Sequence, residues 1–182
     1  MSMYPIRSVV ISDNSTGSVT FSNIPQNFAH MQIRVLSRSN VSTGTWDWLY
    51  LYGINGAGSG NFTYHQFYGD GSSQYAGGTG AGSYSAFCAY IPTANVTANM
   101  FGTCFIDILD YNSTSKNKIV RTMWGFDANG SGQAGFVSNT SFSVLGTNPI
   151  SSLIIALSNP NTFTSGTKID LYGFDTSLRS GA

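Results

Sequence analysis

Not one glutamate occurs in this chain, and lysine appears at only three positions, Lys116, Lys118 and Lys168. Glu and Lys are the residues that usually coat the solvent side of amphipathic helices. Charged residues make up 9% of the chain, against about 25% in an ordinary globular protein. Ser, Thr, Asn and Gly take their place, threaded with Tyr, Phe and Trp. A chain so short of helix-surface residues is expected to fold almost entirely as β-structure, wetted by hydroxyls and amides.

The length of 182 residues suits one domain, which can bury roughly 70% of the surface its unfolded form exposes. The expected organisation is a single β-sandwich domain over residues 1–174, followed by a frayed C-terminal tail over 175–182. At 14% aromatic the chain carries far more ring than a disordered segment does. The formal net charge is zero. There is thus no basic stripe to neutralise phosphates, and nucleic acid is not an expected partner. Near-zero net charge also does little to keep copies apart in solution, a hint of life in an assembly.

Cys88 and Cys104 both lie in apolar runs and read as small buried hydrophobes, with a cross-strand disulfide left open. No stretch approaches the length of a membrane span, and the first residues lack the pattern of a secretory leader. The many Asn-x-Ser/Thr sites follow from composition.

Strands are expected by alternation and by β-branched and aromatic content at 7–11, 18–22, 29–37, 46–54, 62–68, 84–91, 102–111, 118–126, 136–145, 151–157 and 168–174. The first two are joined by Asp-Asn-Ser-Thr-Gly, a loop with hairpin chemistry. In the third, Met31, Ile33 and Val35 share one face and Gln32 and Arg34 the other. Residues 46–54 are apolar on both faces and should be covered on both. The glycine run 77–82 reads as a flexible loop, and one short helical turn is expected near 92–99. About eleven strands at this spacing point to an all-β, two-sheet antiparallel sandwich, jelly-roll-like.

Catalytic constellations are thin. His30 and His65 are the two histidines; neither sits beside a serine in a nucleophile elbow, and no spacing suits zinc. Asp107 and Asp110 lie an odd number of residues apart, so on one strand they face opposite ways, unlike paired glycosidase carboxylates. Asp110 reads as the cap of the turn at 111–113. The segment 127–132 resembles half a calcium loop, but its twelfth position is Ser138, where a bidentate glutamate belongs. The glycine clusters at 56–60 and 77–82 lack the Gly-Lys-Ser/Thr ending of a phosphate loop. No catalytic residue, metal or cofactor is expected. The best functional hint is aromatic: Trp46, Trp48, Tyr64, Tyr68, Tyr75 and Tyr84 flank polar loops. They can serve as core, as the centre of a protein interface, or as sugar-stacking platforms.

Several stretches together carry a resemblance. They are VTFSNIPQNFAHMQIRV from Val19 to Val35, FYGDGS from Phe67, and IDILDY from Ile106 followed by Asn117-Lys118. TNPISSL from Thr147 and the closing LYGF from Leu171 complete the set. Over roughly Ser8 to Phe174 the chain resembles small virion structural proteins of tailed bacteriophages. The resemblance implies a non-enzymatic β-sandwich subunit assembled in the host cytoplasm into the virion. It would act as a homo-oligomer, a trimer foremost. One role it implies is decoration, or cementing, of the capsid by binding the major capsid protein across neighbouring shell subunits. The other is a tail or fibre component that binds a host receptor or glycan. The motifs are strand and turn signatures, and no catalytic residue is carried over.

Overall fold

A computed structural model describes residues 2–56, 62–83, 86–128 and 135–175. Twelve strands occur in the described residues: β1 (Ser2–Val10), β2 (Ser18–Phe21), β3 (His30–Ser37), β4 (Trp46–Tyr52), β5 (Phe62–Gly69), β6 (Gln74–Ser83), β7 (Ala86–Pro92), β8 (Gly102–Ile108), β9 (Lys118–Phe126), β10 (Phe136–Val144), β11 (Leu153–Leu157) and β12 (Lys168–Asp175). One short 3-10 turn, Ile54–Gly56, accompanies them. The helical turn expected near 92–99 is instead a pair of hydrogen-bonded turns, Val96 to Thr93 and Met100 to Thr97.

All strand pairs are antiparallel. One sheet has eight strands in the order β1-β12-β3-β8-β9-β10-β5-β6, the other four in the order β2-β11-β4-β7. The two sheets form a sandwich, and alternation decides which residues meet between them. Met31, Ile33 and Val35 of β3 are buried, while Gln32 and Arg34 face outward on the same strand. Strand β9 buries Val120, Thr122 and Trp124 and turns Ile119, Arg121 and Met123 out. The main core joins these to Leu49, Leu51, Ile106, Ile108, Leu153, Ile155, Ile169 and Leu171, all at or below 1% exposure. Each such side chain contributes about 1.5–3 kcal/mol relative to an exposed one.

Three sequence expectations change. First, the 77–82 glycine run belongs to strand β6, paired with β5 from Phe62–Ser83 to Gly69–Gln74. Glycine is required here by space: a Cβ on Gly78 would lie 2.6 Å from the Tyr64 carbonyl oxygen and 2.7 Å from the His65 ring. An edge strand tolerates such residues because one side of its ladder is open. Second, β1 and β2 are not a hairpin. β1 pairs with β12 in the large sheet and β2 with β11 in the small one, so the polar loop between them crosses the sandwich. Third, cover over β4 is uneven: Leu49 and Leu51 are fully buried on one face, while on the other Trp46 and Tyr50 are partly buried against the core clusters and Trp48 is 40% exposed.

Two buried cations hold loops through main-chain carbonyls. The Arg38 guanidinium donates to the carbonyls of Thr97 (2.7 Å), Met100 (3.1 Å) and Val96 (2.9 Å). The Lys118 ammonium donates to those of Ser113 (2.8 Å), Lys116 (2.9 Å) and Thr147 (3.1 Å). With no helix to satisfy them, these loop carbonyls find a charged donor instead. Cys88 and Cys104 are buried free thiols. Burial raises both thiol pKa values.

Candidate functional site

The small sheet places its edge strand β7 against β8, β9, β10 and β5 of the large sheet. A register shift between Leu49 and Tyr50 marks the β4–β7 pairing. The Cys88 carbonyl accepts a hydrogen bond from Thr122 of the facing sheet (2.8 Å). Phe87 and Tyr90 then meet the inner-face rings of the large sheet. Tyr90 lies 5.3 Å from Trp124, 5.6 Å from Tyr68 and 5.6 Å from Phe136, ring centre to ring centre.

This junction gathers the aromatics that the sequence singled out. Trp48 meets Trp46 edge-on at 5.2 Å, Trp46 lies 4.3 Å from Tyr90, and Tyr68 stacks on Tyr75 at 5.1 Å. Tyr64 reaches the same group through Phe87 at 6.4 Å. Trp48 and, at 56%, Tyr75 are the exposed ends of the row; Trp46, Tyr64 and Tyr68 are half-buried between them. Tyr84 lies outside the described residues. The rings form a packed row running from β4–β7 to the β5–β6 hairpin, and offset or edge-on ring pairs of this kind add about 0.5–1.5 kcal/mol each beyond burial.

Asp47 sits behind the two tryptophans and is buried. It accepts from Ser39 Oγ (2.6 Å), Asn161 Nδ2 (3.0 Å) and the Trp48 amide (2.7 Å). A carboxylate satisfied in this way is anchored, and alternation along β4 then turns Trp46 and Trp48 to the opposite face. Burial pushes the Tyr90 phenol up to about 12, with the neighbouring Tyr68 adding to the shift. Tyr90, Phe87, Trp124 and Phe136 form the centre of the cluster but read as plain core in the sequence, because they lie in apolar strand runs. Their only signal was ring content on consecutive strands.

The other face of the β5–β6 hairpin takes part in a second arrangement. Register aligns Gln32, Asp107, Arg121, Ser141, His65 and Gly78 in one row across β3, β8, β9, β10, β5 and β6. The adjacent row holds Arg34, Phe105, Met123, Asn139, Phe67 and Ala76. A trough of about 620 Å³ lies over the β9–β6 part of these rows, lined by His65, Phe67, Gly78, Arg121, Asn139 and Ser141 among others. A smaller depression of about 290 Å³ continues it toward Gln32, Arg34 and Asp107, sharing Arg121 and Asn139. There Gln32 donates to Asp107 (2.7 Å), and the Arg34 guanidinium lies 5.0 Å from the Tyr172 ring centre.

The remaining candidates disperse. His30 Nδ1 accepts the Asp110 amide (3.0 Å). Asp110 pairs with Lys116 (2.7 Å), and that contact lowers its pKa; the turn to Ser113 is closed by its main-chain carbonyl. Of the calcium-like segment, 129–132 lies outside the described residues. Among the described residues no three His, Cys, Asp or Glu side chains form a metal-holding group, and no helix is long and apolar enough to cross a membrane. Comparison with protein-family models, with curated proteins and with solved structures finds no match.

Proposed function

We propose that this protein is a non-enzymatic structural subunit of a virus particle that decorates the capsid shell and steadies it. It would bind across neighbouring shell subunits, as a homo-oligomer and foremost a trimer. Its jelly-roll-like kinship is part of this reading, as is assembly in the host cytoplasm. The observation that carries the proposal is the aromatic row. Five separate sequence positions, Trp46, Trp48, Tyr64, Tyr68 and Tyr75, converge on one half-open row of rings. Tyr and Trp are enriched, and Lys and Asp depleted, at the centres of protein interfaces. A partner surface laid over Trp48 and Tyr75 would bury ring area that is now wet. The resemblance to phage virion proteins supplies the shell as partner.

The test uses particles stripped of this protein and then re-coated. Wild-type protein should rebind and raise the temperature at which the particles release DNA. Trp48→Ala with Tyr75→Ala should fold normally and rebind poorly. Unchanged DNA retention on re-coating, or full rebinding by the double variant, would refute the proposal. A second reading, a tail or fibre subunit that binds a host receptor or glycan, is favoured by the trough of mixed polar and apolar lining on the opposite face of the β5–β6 hairpin.

A further inference from the structure

We infer that the trough over β9, β10, β5 and β6 is a binding site for a carboxylated sugar, one pyranose unit of an acidic polysaccharide. Its chemistry is specific. Among the described residues, the Arg121 guanidinium and the His65 imidazole make no side-chain hydrogen bond or ion pair, and both open into the trough. A guanidinium without a partner is a ready fork for a carboxylate, which it holds through two parallel hydrogen bonds. No carboxylate is among the residues lining this space. Asp107, the neighbour of Arg121 in the row, lies in the adjoining depression and is engaged by Gln32.

The rest of the lining suits a sugar ring. Phe67 is 60% exposed and offers a flat apolar surface to the C–H face of a pyranose. Asn139 and Ser141 stand on the next strand, in register with Phe67 and His65 respectively, and provide amide and hydroxyl partners for ring hydroxyls. Strands repeat every 4.7–4.9 Å or so, a pitch close to the span of one sugar unit, so side chains on neighbouring strands can reach opposite edges of one ring. Gly78, having no side chain, lets the His65 ring lie over the far wall. A volume of about 620 Å³ falls within the usual range of small-ligand sites.

This inference rests on the trough and not on shell docking, so either can fail alone. The experiment is calorimetric titration of the full-length protein with oligogalacturonate, oligomannuronate and oligosialate, and with carboxyl-reduced oligogalacturonate as the neutral control. At least one acidic oligomer should bind saturably, with the reduced form at least tenfold weaker. Arg121→Gln and Phe67→Ala should each weaken binding about tenfold or more with thermal midpoints kept. Arg121→Lys, which keeps charge but loses the fork, should fall between. Trp48→Ala, in the aromatic row, should bind as wild type. Binding of none of the three acidic oligomers overturns the inference. So does equal binding of the reduced oligomer, full displacement by inorganic phosphate, or indifference to both Arg121→Gln and Phe67→Ala.

Discussion

Replacing Lys118 by methionine isolates one of the two loop clamps. Methionine keeps most of the volume and all of the apolar stem, so the change removes chiefly the ammonium. The native Nζ makes three charge-assisted hydrogen bonds, at 2.8, 2.9 and 3.1 Å, each contributing about 1.5–3 kcal/mol net. Against their sum stands the cost of holding an ammonium out of water, several kcal/mol. Ser113, Lys116 and Thr147 lie on partly or fully exposed loops, so water can reach some of the abandoned carbonyls. The expected loss is about 3 kcal/mol, near the lower end for removing one partner of a buried charge. In a chain of this size that lowers the thermal midpoint by roughly 6–12 °C. Urea unfolding followed by tryptophan fluorescence and thermal melts would measure it. Lys168→Met is the control, an exposed lysine paired with Asp170 at 3.2 Å, expected to cost about 1 kcal/mol or less. The pH dependence has a definite sign. Burial lowers the Lys118 pKa from the ordinary 10.5. Between the folded value and 10.5 the unfolded chain holds more protons, so wild type gains stability over the variant as pH rises through that window. A Lys118→Met loss below about 1 kcal/mol would refute the reasoning.

Other consequences can be checked on the same instruments. Gly173→Ala would place a Cβ 2.3 Å from the Phe28 ring; expelling that ring should cost about 1–3 kcal/mol in denaturant unfolding. Tyr90, raised to about 12, stays neutral when folded while an unfolded tyrosine ionises near 10. Stability should therefore fall from about pH 10 toward 12, and Tyr90→Phe should flatten that fall in alkaline melts. Cys88 and Cys104, buried and with raised pKa, should resist a thiol-specific disulfide reagent in the native state and react at once in denaturant; native reactivity on mixing would contradict their burial.

Fold class was legible because strand alternation is a local property. Met31, Ile33 and Val35 announce the inward face of β3 without reference to any neighbour. Pairing partners were less legible. The loop after β1 has hairpin chemistry, but β1 finds β12 across the whole chain, a contact that local residues do not encode. Glycine misled at β6, since the same residue marks a loose loop and a crowded edge; the His65 ring over Gly78 decides between them. At the site, exposed rings could be picked out one by one. Their convergence depends on β7 lying against the large sheet, and the row from Gln32 to Gly78 depends on the register of six strands.

The buried cations bear on how this molecule meets acid. Acid usually unfolds proteins by protonating carboxylates that native contacts require. Arg38 and Lys118 are held by carbonyl oxygens, which take up no proton in that range. Asp13 and Asp70, whose pKa values are lowered by turn hydrogen bonds, give up their contribution as pH falls through their folded values, and those turns loosen first. The carbonyl contacts of both clamps persist while that happens, but the loop that Lys118 pins also carries Asp110, whose pairing with Lys116 is lost in the same fall, so falling pH frays the rims and that loop before it reaches the one that Arg38 pins.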